Sequence, residues 1–383
     1  MMGSLQGTRI VVLFGSLEMG GAERQGLLLA RYLQDTAGAE VAVWGLGAGH
    51  GPVAAQCDEW GIPWKELALH WGLVRRIPHL LRLGWQLRRF RPAILIPYTK
   101  VPNLAAALLG PLCGARLVLW NQADAGLLLP DTLLHRLAIR RAGWFAANAA
   151  EGAVFLKERF KAPAERIRVI PNGVALAEPG ATPDQWRQRL AAGTGQLLTV
   201  MLANLSSYKD HATLLSAWAE LCRGRQGELP LLALAGRFDD QTAALRQQAV
   251  ALGIEGQLRF LGPVADVAGL LHAADLLVHS SRSEGIPNAV LEGMAAGLAV
   301  VASDLPGIRE ALGREGENGL VPAGDAPALA RKLAELLKDE PLRRRIGADL
   351  AARAAQQYGV ERMCRESVEW LEHCLEGQAC RDC

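Results

Sequence analysis

The sequence predicts an α/β protein of two Rossmann-like domains, each a parallel sheet covered by helices on both faces. Short apolar runs recur through both halves and alternate with stretches of helical periodicity, the pattern that builds such a sheet. A chain of 383 residues is long enough for two domains. Near the middle, Val169-Ile170-Pro171-Asn172-Gly173-Val174 is extended, fixed by proline and closed by an Asn-Gly turn, so it reads as a linker. The expected division is 1–173, 174–357, and a terminal helix and tail over 358–383.

Residues 8–14 form the first apolar run, followed by a loop holding Gly15, Gly20 and Gly21 and by a helix over about 22–34. These glycines do not give G-x-G-x-x-G, which disfavours a nicotinamide dinucleotide. Further runs lie at 41–45, 62–67, 93–98, 116–120 and 144–148. Between the third and fourth, the segment from Arg75 to Arg91 holds six arginines and no acid. At 100° per residue Leu80, Leu81, Leu83, Trp85, Leu87 and Phe90 make a broad apolar arc opposite Arg82, Gln86 and Arg89. The segment reads as a crossover helix packed on its sheet, with a basic face suited to an anionic membrane surface. After the fifth run, Asn121, Gln122 and Asp124 follow a strand end, where α/β sheets place ligand-binding residues. Each is a candidate for binding a ligand, the acceptor side of the site included, or for capping a helix.

The second half repeats the pattern at 197–203, 231–236, 258–261, 276–279, 299–302 and 319–321. The first of these runs is followed by a loop from Asn204 to Asp210 that places Lys209 at a strand-to-helix junction. The fourth is followed by a polar loop, Ser280 to Pro287, that leads into a helix with Pro287 at its first position. A helix N-terminus there offers free N–H groups and a dipole that attract phosphate. Glu284 stands just before it and Glu292 about a turn and a half inside, so two carboxylates bracket an anion-binding end. A carboxylate accepts from two adjacent hydroxyls, as on a ribose or a sugar ring. Residues 360–376 have helical spacing at Met363, Ser367, Trp370, Leu371 and Cys374.

Composition is that of a soluble globular chain, 50% apolar and 21% charged. No signal peptide is visible over residues 1–9 and no run is long enough to span a bilayer, so the cytoplasm is expected, peripheral to the inner face of its membrane. Seven cysteines, five of them scattered singly, read as reduced thiols. Cys374, Cys380 and Cys383 with His373 are read as a frayed tail in preference to a zinc site. Residues 1–173 carry 20 Lys and Arg against 12 Asp and Glu, and residues 174–383 carry 21 against 27. The basic half suits a membrane surface or a phosphorylated acceptor; no nucleic-acid partner is expected.

The loop and helix from Glu284 onward resemble the signature of glycosyltransferase family 4, a retaining family of the GT-B fold. Its Glu-Gly-x-Pro-x-x-x-Leu-Glu-x-Met-Ala is matched by Glu284, Gly285, Pro287, Leu291, Glu292, Met294 and Ala295. The resemblance implies two facing domains with an interdomain cleft and a C-terminal helix that crosses back to the first. It assigns the nucleotide ribose to Glu292, the donor sugar to Glu284, and backbone contacts with the diphosphate to Gly285, Ile286, Pro287 and Asn288. Gly20 and Gly21, in an opening similar to that of many family members, face the donor diphosphate, and Arg24 beside them is an acceptor candidate. Lys209 matches a phosphate-binding lysine. Asn204 stands where the family commonly has an arginine, a gap for Arg282 or Arg237 to fill. The family's usual histidine near the donor sugar is absent beside Asn121.

The activity this resemblance implies is a retaining transfer of a hexose from a UDP- or GDP-linked donor to a glycan or lipid-linked acceptor, in cell-envelope polysaccharide or glycolipid synthesis. Lys209 and the helix N-terminus would stabilise charge on the departing diphosphate, with no cofactor and no metal. A nucleotide-sugar epimerase of the same fold, a pyridoxal-dependent phosphorylase and a non-catalytic nucleotide-sugar regulator are the alternatives.

Overall fold

Ile10 to Phe14 are apolar and fully buried on both sides of the strand, so they can lie only inside a sheet covered on each face. The computed structural model describes residues 5–69, 76–124, 126, 129, 131–223 and 227–379. Its first sheet comprises β1 (Arg9–Phe14), β2 (Glu40–Gly45), β3 (Trp64–Glu66), β4 (Ile94–Pro97), β5 (Leu117–Gln122), β6 (Gly143–Ala147) and β7 (Ile167–Val169). All pairings are parallel and the order is β3-β2-β1-β4-β5-β6-β7. Register follows the apolar side chains: Val12 lies between Val43 and Ile96.

The two-residue period splits β1 between two cores. Ile10, Val12 and Phe14 face one core with helices Gly21–Asp35, Pro52–Trp60 and Val360–Ala379. Val11 and Leu13 face the other, filled by helices Arg76–Phe90, Lys100–Leu109, Leu133–Ala142 and Ala150–Phe160.

The second sheet comprises β8 (Leu198–Leu202), β9 (Leu231–Ala235), β10 (Leu258–Gly262), β11 (Leu276–His279), β12 (Val300–Ser303) and β13 (Leu320–Val321). Its order is β10-β9-β8-β11-β12-β13, again parallel throughout. The chain thus forms two α/β units, residues 1–173 with 360–383, and residues 174–359. Among the described residues no helix is long and apolar enough to cross a membrane.

The terminal helix Val360–Ala379 belongs to the first unit, and Trp370 anchors it. Its indole N–H donates to the Phe145 carbonyl at 3.0 Å, edge-on to Trp144 and stacked on His373. Gly173 is needed where this helix begins: a β-carbon there would lie 2.8 Å from the Val360 Cα. Its φ is not positive, so close approach, and not the expected Asn-Gly turn, explains the residue. The Gln25 amide closes on both backbone groups of Gly173, at 2.9 Å each.

The structure corrects some expectations. β7 falls beside the stretch that reads as a linker, and three residues with an arginine at the centre leave no apolar pattern to mark it. The run at 62–67 contributes only Trp64–Glu66 to the sheet. Pro287 is the N-cap of helix Asn288–Ala295, with extended φ and ψ of −76° and 130°, and not its first helical residue. Leu81 and Trp85, expected against the sheet, stand 69% and 56% exposed, while Leu83 and Leu87 are buried. The described cysteines are free thiols, with burial pushing Cys57 and Cys364 up to about 12. Arg75, Cys380 and Cys383 lie outside the described residues.

Candidate active site

A parallel sheet that winds outward in two directions leaves a crevice where the order reverses, at the carboxyl ends of the two central strands. In the second unit these strands are β8 and β11. The loops after them carry Asn204 to Asp210 and Ser280 to Pro287, the two stretches singled out in the sequence.

Hydrogen bonds weld these loops together. The Ser281 hydroxyl donates to the Tyr208 carbonyl at 3.0 Å, and the Arg282 N–H to the same oxygen at 2.9 Å. The Ser280 hydroxyl donates to the Asp210 carbonyl at 3.2 Å, and the Ser281 N–H to the Ser303 hydroxyl at 3.0 Å. Asp210 takes a left-handed φ of 46°, a conformation that costs a non-glycine residue about 1 kcal/mol or more. It is held by the Thr213 hydroxyl at 2.9 Å and by Arg282 at 3.2 Å.

The weld brings Lys209 against Glu284: Nζ lies 2.5 Å from Oε1, with side chains only 15% and 10% exposed. His279, at the end of β11 and almost fully buried, reaches the same carboxylate oxygen through Nε2 at 3.0 Å. Burial alone would raise the Glu284 pKa. The Lys209 charge and the His279 hydrogen bond overcome it and hold the carboxyl down to about 2. For Lys209, burial works against the ammonium, but the adjacent carboxylate wins and keeps its pKa above the usual value. Burial dominates at His279 and lowers its pKa, so the ring is neutral. An ionised carboxylate only accepts, so Nε2 carries the proton and Nδ1 presents a lone pair. That lone pair finds no partner among the described residues, nor does either ring nitrogen of neighbouring His211, which burial drives down to about 4.

Glu292 lies in helix Asn288–Ala295 and is 8% exposed, as is Glu284. Gly285, Ile286 and Pro287 are buried as well. Gly285 rests against the start of the next helix, since a β-carbon on Gly307 would meet its carbonyl oxygen at 2.1 Å. The acids therefore sit in the wall of the unit, beside a helix N-terminus.

The remaining candidates divide between the two units. In the second, the Asn204 side-chain oxygen accepts from the Arg237 N–H at 3.0 Å, so it braces the loop after β9. The Arg237 guanidinium is engaged by Asp239 at 3.1 Å and the Arg282 guanidinium by Asp210. In the first unit the order reverses between β1 and β4. Gly20 caps and Gly21 begins the helix after β1, with Arg24 in its first turn. Thr99, after β4, has a φ of 71° and lies by the loop at Gly15. Asn121 and Gln122 are the last residues of β5 and cap no helix. The Asn121 amide donates to the Pro97 carbonyl at 2.9 Å. The Gln122 side chain accepts from the Trp120 indole at 3.2 Å and donates to Asp124, which in turn accepts from the Gly126 N–H. These three residues hold the end of the sheet in shape.

A model described as Glycosyl transferases group 1 matches residues 183–351, and one described as Glycosyltransferase Family 4 matches residues 19–178. The chain belongs to glycosyltransferase family 4. Among relatives of this family 4 member, the D-inositol 3-phosphate glycosyltransferase of Corynebacterium efficiens is 32% identical over 219 residues, 55% of this chain and 51% of that protein. The phosphatidyl-myo-inositol mannosyltransferase of Mycobacterium leprae is 42% identical over 131 residues, 33% of each chain. The chain thus spans about half the length, or less, of these curated relatives. Among solved structures, Anabaena HepE in complex with UDP and glucose has a TM-score of 0.81 at 22% identity, covering 95% of this chain and 99% of that one. WaaG, a glycosyltransferase involved in lipopolysaccharide biosynthesis, has a TM-score of 0.73 at 18% identity, with 94% and 98% covered. These likenesses show the fold, two α/β units of the GT-B type.

Sequence reasoning on this family 4 chain missed His279, Ser280, Ser281 and Asp210 as parts of the site. In sequence, His279 looks like the end of an apolar run. The available signal is a polar residue closing a strand otherwise composed of Leu and Val, five positions before Glu284.

Proposed function

We propose that the chain is a retaining glycosyltransferase that moves a hexose from a UDP- or GDP-linked donor to a hydroxyl of a glycan or lipid-linked acceptor. The setting is synthesis of cell-envelope polysaccharide or glycolipid. One observation carries the reading: at the switch point of the second sheet a lysine and a neutral histidine hold one buried carboxylate, Glu284, ionised beside a helix N-terminus. A nucleoside diphosphate sugar needs those elements. The second unit is the donor-binding domain and the first the acceptor domain, with Gly20, Gly21 and Arg24 at the first unit's own switch point. The relatives' names support the substrate class, since they act on inositol phosphate or a phosphatidyl-inositol lipid. HepE with UDP and glucose favours uridine.

In the transfer, the bond from the anomeric carbon to the β-phosphate oxygen breaks and a bond to the acceptor oxygen forms on the same face. The acceptor proton passes to the departing phosphate, so no separate base is required. Negative charge grows on the leaving diphosphate, where Lys209 and the backbone N–H groups of Ile286 and Asn288 stabilise it; Pro287 between them has none to give. Glu292 holds the ribose hydroxyls. Glu284, ionised and oriented from two sides, supports the positive charge developing on the sugar ring. Arg237 and Arg282, already balanced by carboxylates, are the local replacements for the charge that Asn204 lacks.

The test is a thermal-shift screen against nucleoside diphosphate sugars, followed by product analysis. A binding donor raises stability by mass action. Retention requires an α-linked donor to give an α-linked product, and a β-linked product would overturn the mechanism. If no donor shifts the wild type beyond the Glu292→Ala variant, the site assignment fails.

A further inference from the structure

Exposed apolar side chains are not spread evenly over this protein. Of the ten large ones exposed among the described residues, eight stand on the helical layer that covers one face of the first sheet. The helices on the opposite face, Gly21–Asp35, Pro52–Trp60 and Val360–Ala379, carry none among the described residues. The patch centres on Leu81 and Trp85, with Leu112 beside them, and on Leu133, Leu134 and Leu137, of which Leu133 is 87% exposed. The two groups belong to one surface layer. The Arg88 guanidinium donates to the Leu112 carbonyl at 3.2 Å, and the Cys113 thiol reaches the Gly84 carbonyl at 3.3 Å. Helix Lys100–Leu109 then packs against both that turn and helix Leu133–Ala142.

On three of the four helices of this layer the charge has one sign; the fourth, Ala150–Phe160, balances Lys157 and Arg159 with Glu151 and Glu158. Helices Arg76–Phe90, Lys100–Leu109 and Leu133–Ala142 hold eight lysines and arginines and no acid. Asp131, just before the third, engages Arg136 and Arg159. Trp85 is flanked by arginine, with the Arg89 guanidinium carbon 5.6 Å from its ring centre. In helix Leu133–Ala142 the leucines occupy the first turns, and Arg140 and Arg141 the last.

We infer that this face docks on an anionic lipid bilayer, with Trp85, Leu81 and Leu133 to Leu137 entering the headgroup boundary and the arginines meeting lipid phosphates. An exposed indole beside arginines is at home at that boundary, where ring and guanidinium keep a polar end wet while their apolar parts leave water. Leucines backed by basic side chains combine apolar transfer with attraction to anionic lipid. Charge also decides against a second copy as the occupant. A two-fold pairing would set the patch against itself, arginine against arginine, with no acid on helices Arg76–Phe90, Lys100–Leu109 or Leu133–Ala142 to relieve it. The basic helix read from the sequence is thus half of the surface; the other half, on helix Leu133–Ala142, has no long amphipathic signature. The inference goes beyond the donor reading and does not depend on it.

Cosedimentation with vesicles of phosphatidylcholine, with and without phosphatidylglycerol, tests it in the absence of nucleotide. The wild type binds the anionic vesicles and not the neutral ones, and salt weakens binding. The pair Leu81→Ser with Trp85→Ser, and separately Leu133→Ser with Leu137→Ser, each lower the partition coefficient about tenfold or more. Their thermal midpoints and nucleoside diphosphate binding stay at wild-type values, because these side chains are exposed and lie in the first unit. Equal or negligible binding to both vesicle types overturns the inference. So does undiminished binding by the Leu133→Ser, Leu137→Ser variant, and so does concentration-dependent self-association that the same substitutions abolish. Failure of the donor reading would show instead as absent nucleotide binding with vesicle binding intact.

Discussion

Replacing Lys209 by methionine isolates the electrostatics of the site. The substitution keeps the apolar stem and removes the ammonium that lies 2.5 Å from Glu284 Oε1. A carboxylate 10% exposed is then left with the His279 N–H at 3.0 Å as its remaining side-chain donor among the described residues. Breaking a buried pair from one side costs roughly 3–5 kcal/mol. The retained histidine bond and residual solvent contact put this case near the lower bound. For a unit of this size, about 3 kcal/mol corresponds to a fall of roughly 6–12 °C in thermal midpoint at pH 7. Glu284→Gln keeps an amide oxygen to accept from Lys209 but leaves the ammonium, 15% exposed, without its counter-charge, and costs roughly 3 kcal/mol as well. The pH dependence supplies the sign. In the wild type the folded carboxyl sits at about 2, below its ordinary 4.5, so the stability it contributes is complete above pH 4.5 and is lost as pH falls toward 2. Without the lysine, burial raises the Glu284 pKa, and protonation on acidification relieves the variant. The gap between wild type and Lys209→Met therefore narrows as pH falls. Scanning calorimetry from pH 7 to pH 3 measures both. A midpoint within about 2 °C of wild type at pH 7, with a gap that does not change with pH, refutes the coupling.

The same geometry sets further expectations. His279→Leu removes the second hydrogen bond to Glu284 and lowers kcat about tenfold with donor KM little changed. The acid limb of its pH–rate profile moves upward, and His279→Gln restores part of the loss; an unmoved limb would reduce His279 to packing. Glu292→Ala raises the donor KM at least tenfold, about 1.4 kcal/mol, with a smaller effect on kcat, read from steady-state kinetics and calorimetric titration of the nucleoside diphosphate. Trp370→Ala loses a buried indole and its bond to the Phe145 carbonyl and destabilises the first unit by about 3–5 kcal/mol in denaturant titration. Gly173→Ala forces a β-carbon to within 2.8 Å of the Val360 Cα and costs about 1–3 kcal/mol in the same assay.

Much of the fold was legible because each central strand is apolar on both sides. The six runs of the second half are its six strands, and six of the seven strands in the first sheet were expected. The exception, Ile167–Val169, is a short edge strand, and an edge needs no apolar pattern. Glu284 and Glu292 were legible as a pair because helix geometry fixes where Glu292 lies relative to the loop at Glu284; the roles given to them rest on the resemblance to the family signature. Two partners of Glu284 differ in this respect. Lys209 announced itself by a charge at a strand-to-helix junction, whereas His279 closes an apolar run and gave no sign that its ring turns toward the loop.

By itself the sequence determined two parallel sheets, the helix that carries Glu292, and a terminal helix, since these depend on local periodicity and on side chains a few residues apart; that Trp370 anchors this last helix is a contact with Phe145, 225 residues away. Tertiary structure decided what periodicity does not contain. Only strand order makes β8 and β11 neighbours, and this brings Lys209 within 2.5 Å of a carboxylate 75 residues away. Only the packing of helix Arg76–Phe90 on its sheet shows that Leu83 and Leu87 are buried while Leu81 and Trp85 face outward. An apolar arc fixes which residues avoid water in an isolated helix, but the width of the neighbouring surface fixes how many of them succeed.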